Sequence, residues 1–220
     1  MSPARRPGAV LVGLAGLSLL TGCGQQIGAL LYISGAYQKT VDKQVDAPKG
    51  SRLAILVDYA SPDQANPIFA RTLQSHFERL LVEKEVDIEV VPFGDAMRLR
   101  GRNKDFDEWP VSRVGRELDA DYVMCVRVTN LRLQKTPDVP LLEPSLTARM
   151  KVIAVDAPEA SARVWPAEER DGEFSVHRPA LEYSIPDDVD REAIKLARGL
   201  AWHIARPFFK HDPEEKPPLE

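Results

Sequence analysis

The pattern of apolar residues begins, after the N-terminal region, with a strand–helix–strand unit. Residues 53–57 are a continuous apolar run, which is typical of a strand that is covered on both faces. Asn66 and Pro67 predict the start of a helix, because asparagine can cap the first amides and proline suits the first helical position. Apolar residues follow at helical spacing, namely Phe69, Leu73, Phe77, Leu80 and Leu81. Residues 88–91 predict a second strand, which Pro92 ends.

Strands dominate the second half of the chain. Ser112 predicts the start of a short helix, and residues 121–135 predict a long strand with a bulge near Thr129 and Asn130, where the apolar positions change parity. Apolar residues at 146, 148, 150, 152 and 154 alternate with polar residues at 147, 149 and 151, which is typical of a half-exposed strand in an antiparallel sheet.

Two further short strands are predicted at residues 162–165 and 174–176. The acidic loop of residues 168–172 lies between them, and we expect it to form the turn of a hairpin.

The last predicted element is an amphipathic helix over residues 189–204, with acidic residues before it that complement the helix dipole. The predicted order is therefore β-α-β-α-β-β-β-β-α. We expect an α/β (α+β) fold with a mixed sheet. It starts with a parallel strand–helix–strand unit, continues with antiparallel strands, and is covered by two or three helices.

The N-terminus has the layout of a secretory signal. Arg5 and Arg6 form a positive n-region, and the apolar run of residues 8–20 is too short to span a bilayer comfortably. Four residues then resemble the lipobox of bacterial lipoproteins, namely Leu20, Thr21, Gly22 and Cys23. That resemblance implies that Cys23 carries the lipid and becomes the first residue of the mature protein.

An uncleaved membrane anchor is the alternative to a cleaved signal, because residues 27–33 form a second apolar patch. With cleavage, residues 1–22 are the signal peptide and residues 23–49 the lipid anchor and tether. Residues 50–210 are then a single periplasmic domain, and residues 211–220 a flexible polar tail.

Composition narrows the function classes. The chain has 220 residues and a formal net charge of −4, which gives no support to a nucleic-acid binder. Its two cysteines exclude a disulfide-stapled scaffold. Cys125 lies in an apolar strand, and we interpret it as buried and inert.

Residues 111–128 contain a short helix that ends in Leu118-Asp119-Ala120-Asp121-Tyr122-Val123 and runs directly into an apolar strand. Together with the preceding strand–helix–strand unit, this resembles periplasmic α/β domains of bacterial envelope machines. Examples are the N-terminal domain of the Tol-system β-propeller protein and the curli-export lipoprotein. The resemblance covers roughly residues 50–160. It implies partner binding or assembly, and it supplies no catalytic residues. We expect Ala120 and Asp121 to have structural roles.

Local motifs for chemistry are missing from the sequence. It contains no phosphate-binding glycine loop, no nucleophile elbow and no zinc-protease motif. Asp105, Asp107 and Glu108 are interpreted as a solvated turn rather than a calcium site, because their spacing matches no loop motif. We therefore expect no cofactor and no metal.

Two segments are candidate partner contacts. One is a cluster of positive charges, interpreted by default as a solvated loop, that includes Arg98, Arg100 and Arg102. The other is the proline-bracketed pair Leu141 and Leu142, which would form an apolar tip if exposed; packing back onto the domain is the competing interpretation.

The leading hypothesis is a non-enzymatic, lipid-anchored adaptor or assembly component on the periplasmic face of a bacterial outer membrane. Its partners would be the membrane, through the lipid, and an envelope protein. Gly24 after the lipobox favours the outer membrane, because the best-known sorting rule uses Asp there for inner-membrane retention. The alternatives are a small-molecule or glycan-binding domain, which a deep pocket would favour, and an oligomeric element of an envelope complex.

Overall fold

The computed structural model describes residues 40–134, 141–158, 161–168, 170–182 and 187–216. The predicted signal peptide, the predicted lipobox and Cys23 lie outside the described residues. The described residues from Val41 onwards form one compact unit.

The described residues contain seven strands and four α-helices. The strands are β1 (Ser51–Tyr59), β2 (Ile88–Val90), β3 (Tyr122–Gln134), β4 (Leu141–Ala154), β5 (Arg163–Trp165), β6 (Gly172–His177) and β7 (Leu181–Glu182). The helices are α1 (Pro67–Glu83), α2 (Phe93–Arg102), α3 (Val111–Glu117) and α4 (Asp187–Ala205). Short 3-10 turns cover Pro62–Gln64, Phe106–Glu108 and Arg206–Phe208.

All seven strands belong to one mixed sheet, which confirms the predicted fold class. Its order is β2-β1-β3-β4, and β5, β6 and β7 all pair with β4. Strand β1 is parallel to both β2 and β3, whereas β3–β4 and all further pairs are antiparallel. The register of β3 and β4 shifts between Val128 and Asn130, so the predicted bulge is confirmed.

Helices α1 and α4 pack against each other and cover one face of the sheet. Asn66 caps α1 as predicted, because its side-chain oxygen accepts a hydrogen bond of 2.9 Å from the amide of Phe69. The core on this face is built from buried side chains of both helices and of the central strands. Its largest members are Phe69, Phe77, Leu53, Leu73, Leu81, Met124, Leu146, Met150, Leu196, Leu200 and Ile204.

Helices α2 and α3 cover part of the opposite face. Ala54 and Val123 are fully buried there, and they pack with the buried side chains of Val114 in α3 and Phe106 in the turn before α3. Two helices therefore lie on each face, rather than the two or three in total that the sequence predicts. The sequence does not predict helix α2, because its basic residues favour a solvated loop. None of its side chains is fully buried.

The predicted hairpin of residues 162–176 is wrong. Strands β5 and β6 do not pair with each other; each pairs with β4, at Val152–Ile153 and at Ser145–Met150 respectively. The edge of the long β4 that does not pair with β3 pairs with three short strands in succession. A local sequence pattern does not predict these pairings.

The N-terminal border of the body lies before residue 50. The amides of Gln44 and Val45 donate to the carbonyl of Pro207 at 2.7 and 2.9 Å, and Val45 is buried. Val41 pairs with His211 in an isolated antiparallel bridge. Part of the expected tether and the first residue of the expected tail therefore belong to the body. Within the described ranges, none of the helices is long and apolar enough to cross a membrane.

Gly115 of α3 tests how closely this helix approaches the sheet. A Cβ atom there would clash with Cγ2 of Val155 and would lie 2.9 Å from Cγ2 of Val123. We expect Gly115→Ala to lower the free energy of unfolding by about 1–3 kcal/mol, since a packed core resists an added methyl group. Urea unfolding of the full chain measures this change.

Gly101→Ala is the matched control, because Gly101 lies in α2 with no atom within 4 Å of the added Cβ. Here the methyl group should raise the free energy of unfolding by up to about 1 kcal/mol, through helix propensity alone. Equal effects at the two positions would contradict the close packing of α3.

Candidate functional site

A groove of about 800 Å³ opens at the carboxyl ends of the parallel strands. The end of β1 and the middle of β3 form one side, and the first turns of α1 and α2 form others. Strand β1 continues through α1 to β2 on one side, whereas β3 continues to β4 on the other. Crevices where strand order diverges in this way are common ligand positions in open α/β sheets.

The walls of the groove are mainly apolar. Leu56 and Cys125 are neighbours in the parallel register of β1 and β3, and both project onto the face that α2 and α3 partly cover. The helical side is built from apolar and aromatic residues, namely Phe93, Ala96, Met97, Trp109, Val111 and Val114. Met97 is 49% exposed, so it forms the lip of the groove rather than its floor.

Charged residues line the part of this sheet face that α2 and α3 do not cover. Asp58, Arg127, Arg149 and Glu173 form one row across β1, β3, β4 and β6. The adjacent row on the same face is Leu56, Cys125 and Lys151. Residues two apart on a strand share a face, so an apolar slot passes directly into a charged sheet surface.

Arg100 of α2 connects three of the elements that line the groove. Its guanidinium donates to the carboxylate of Asp107 at 2.8 and 3.0 Å, and it lies 3.4 Å from Asp58. It also stacks on the ring of Phe106, with 5.2 Å to the centroid. The sequence suggested Arg100 as a partner contact, but the structure uses it to join α2 to β1 and the Phe106–Glu108 turn.

Three basic residues of the groove are unpaired in the described part of the chain, and one of them, Arg71, is exposed on α1. Arg149 lies 3.5 Å from Glu173, but neither Arg127 nor Lys151 has an ion-pair partner among the described residues. Arg127 is exposed and Lys151 half-buried. Both therefore remain available to an anion.

Cys125 is half-buried rather than fully buried, and its side chain lines the groove. Burial raises the pKa of its thiol to about 11, and the nearby charge of Lys151 only partly opposes this. The thiol is therefore protonated at neutral pH, which disfavours a nucleophilic role.

The remaining residues of the basic cluster lie on the outer side of α2. Arg98 is exposed and pairs with Asp95 one turn earlier. Arg102 is exposed at the end of the helix and has no ion-pair partner within the described ranges. These two side chains stay candidates for contact with a partner.

Leu142 is not a partner contact. It is 1% exposed, because β4 begins at Leu141 and pairs Leu142 with Leu181 of β7. Leu141 is half-buried in the same pair of strands. Of the two interpretations of this pair, packing onto the domain is therefore the one that the structure supports.

The acidic turn before α3 is occupied by local contacts. Asp105 accepts a hydrogen bond of 2.9 Å from the indole nitrogen of Trp109, which holds the pKa of that carboxyl below its usual value. Asp107 binds Arg100 as described above. Across the described residues, no group of three or more metal-ligating side chains lies together.

The sequence does not predict the groove. Its walls combine residues from β1, α2, β3 and β4, and only the strand register places Lys151 beside Cys125. The available signal was the parity of the strands, since Cys125, Arg127, Arg149 and Lys151 all occupy positions opposite to the buried set.

Cys125 gives a direct test of the groove environment. With a pKa of about 11, alkylation by iodoacetamide should increase about tenfold per pH unit from pH 7 to 10. In the unfolded chain the thiol should have an ordinary pKa of about 8.5, so its rate should level off above pH 9. Mass spectrometry of the Cys125 peptide, with and without denaturant, measures both profiles. Coincident profiles would contradict the buried thiol.

Comparisons with known proteins give no family. No family model matches the chain, and no curated protein matches it. Among solved structures, the PelC dodecamer from Paraburkholderia phytofirmans aligns at 13% identity over 78% of this chain and 96% of that chain, with a TM-score of 0.40. Lipoprotein GNA1162 from Neisseria meningitidis aligns at 13% identity over 71% and 98%, with a TM-score of 0.41. The LpoB C-terminal domain from Salmonella enterica aligns at 16% identity over 61% and 89%, with a TM-score of 0.34. Likenesses at this level assign neither a family nor a function.

Proposed function

We propose that the chain is a bacterial lipoprotein, anchored through Cys23, whose α/β body acts by binding on the periplasmic face of the outer membrane. Support for the anchor comes from the sequence: a basic n-region and an apolar h-region precede the lipobox that ends at Cys23. Gly24, where Asp would favour inner-membrane retention, supports the outer membrane. Acyl chains on an N-terminal cysteine would tether the protein, since two or more chains anchor stably.

The groove is the observation that carries the binding role. Its volume of about 800 Å³ lies within the range of roughly 300–1,000 Å³ that is usual for ligand pockets. Its walls combine a mainly apolar slot with charged side chains on the adjoining sheet surface, so one part can bury apolar groups and the other can orient a polar group. A groove of this volume favours a small-molecule ligand over a purely flat adaptor surface.

A protein partner is the second candidate function. It is supported by the outer side of α2, where the side chain of Arg98 is 68% exposed and Arg102 also faces solvent. The adjacent Met97 adds exposed apolar surface. The leucine pair at the start of β4 no longer supports this function, because Leu142 is buried.

Removal of the thiol tests the anchor. Cys23→Ala should abolish metabolic labelling by an alkyne fatty acid and release the protein from the membrane fraction, since no acyl acceptor would remain at the lipobox. Cys125→Ala is the matched control, because it removes the only other cysteine and should leave labelling intact. Labelling that persists in Cys23→Ala would overturn the lipoprotein assignment.

In-cell photo-crosslinking tests the adaptor function. A photoreactive residue at Arg102 should capture one reproducible envelope protein, identified by mass spectrometry, because this end of α2 is exposed. A photoreactive residue at Val82 is the control, since Val82 is 76% exposed on α1 and does not line the groove. Equal capture at the two positions, or none at Arg102, would contradict an adaptor surface on α2.

A further inference from the structure

The groove is basic in a chain that is acidic overall. Five basic and three acidic residues line it, whereas the whole chain has a formal net charge of −4. Two of the three acids, Asp58 and Asp107, already bind Arg100, and Asp171 binds Arg163 at 2.8 Å. The positive excess therefore falls on basic residues without partners, which favours an anionic ligand.

Arg127 and Lys151 can bind the same anionic group. Arg127 lies directly opposite Arg149 in the antiparallel register, so Lys151 is its diagonal neighbour on the same face. Diagonal neighbours across such a pair are about 7–8 Å apart at the backbone, which long side chains bridge easily. Neither residue has an ion-pair partner among the described residues.

The apolar slot begins immediately beside this pair of cations. Cys125 lies opposite Lys151, and Leu56 lies on the far side of Cys125 in the same row. Neighbouring strands are about 4.8 Å apart, so this row leads over about 10 Å from the cation into the slot. Met97 and Trp109 line the slot from the helical side.

Three uncharged polar side chains near the slot, those of Tyr59, Asn66 and Trp109, are already hydrogen-bonded. The hydroxyl of Tyr59 donates to the carbonyl of Asn66 at 3.1 Å, and the Asn66 side chain caps α1. The indole nitrogen of Trp109 donates to Asp105. A sugar or a peptide backbone would bury hydrogen-bonding groups here without partners, whereas an alkyl chain needs none.

We propose that the groove binds a long-chain fatty acid. Its carboxylate would bind Arg127 and Lys151, and its alkyl chain would lie along Leu56 and Cys125, beneath Met97. This inference rests on the proposed binding function and names the ligand class for it. The alkyl chain supplies most of the affinity, and the two cations select the acid over a neutral amphiphile.

Photolabelling tests the ligand class. The probe is palmitate with a diazirine in the middle of its chain, added to the full-length protein in nanodiscs of phosphatidylcholine. Mass spectrometry should place the adducts on α2 and on the Leu56 and Cys125 segments of the sheet. Unlabelled fatty acids of eight to sixteen carbons should compete, with affinity increasing up to about fourfold per added methylene group until the slot is full.

Two head-group comparisons test the role of the cations. Hexadecanol should compete at least about tenfold more weakly than palmitate, because it lacks the charge. The double variant Arg127→Gln/Lys151→Gln should lose most of this preference, and it should fold because neither side chain has an ion-pair partner in the described ranges. The matched control is Lys49→Gln/Arg116→Gln, which removes two exposed basic residues outside the groove.

A third variant tests the slot itself. Met97→Glu places a carboxylate at the lip of the groove, and it should abolish specific labelling, because an exposed helical position accepts the charge but the alkyl chain does not. Val82→Glu is the control, since it adds the same carboxylate at an exposed position of α1. Circular dichroism of each variant confirms that it is folded.

The possible outcomes separate the two proposals. Specific labelling of the slot, with the preference for the acid dependent on Arg127 and Lys151, would support the inference. Equal competition by hexadecanol, or a preference for the acid that the double variant retains in full, would overturn the anionic head group. Absence of specific labelling would overturn the ligand class. None of these results would bear on the anchor, which acyl labelling at Cys23 tests independently.

Discussion

Strand β1 lies between two parallel neighbours, and its apolar side chains therefore need cover on both faces of the sheet. Leu53 and Ala54, adjacent in sequence, are both fully buried on opposite faces. The chain meets this requirement by sending the connection from β1 to β2 over one face and the connection from β2 to β3 over the other. Helix α1 covers the first face and helices α2 and α3 the second. Helices α1 and α2 both begin at the carboxyl ends of the parallel strands, but they cover opposite faces of the sheet. A space therefore remains between their first turns, and this space is the groove.

The second face is covered only in part, and this determines the chemistry of the groove. Helix α3 packs so closely on β3 that Gly115 has no room for a side chain. Strand β4 lies farther from these helices, and its outward positions carry Arg149 and Lys151. Alternate residues of β4 point to opposite faces of the sheet. One set is buried in the core on the other face, and the other set carries the charged side chains on this face. The border between apolar and cationic surface is thus a consequence of where two short helices end.

Elements with strong periodicity were predicted from the sequence, and elements that depend on distant pairing were not. The cap at Asn66, the bulge after Val128 and the amphipathic α4 each follow from residues close together in the chain. Helix α2 was missed because Arg98, Arg100 and Arg102 outweigh its few apolar residues. The hairpin of residues 162–176 was wrong because β5 and β6 both satisfy their hydrogen bonds on β4. The groove could not be predicted, since the neighbourhood of Cys125 and Lys151 exists only once the register is set.

The two parts of the groove contribute differently to binding. The apolar slot supplies the affinity for a ligand, and the cations supply the selectivity for an acid. Arg127 is exposed, and an exposed cation gains little from an anion, because water already solvates both charges. A ligand held at this position by charge alone would therefore bind weakly, and the apolar slot must supply most of the binding free energy. Lys151 is half-buried beside Cys125, whose raised thiol pKa shows that charge is disfavoured there. A carboxylate that replaces water around Lys151 thus interacts in a less polar environment than at the open sheet surface, which makes the border between slot and cations the point where an acid and a neutral chain are distinguished.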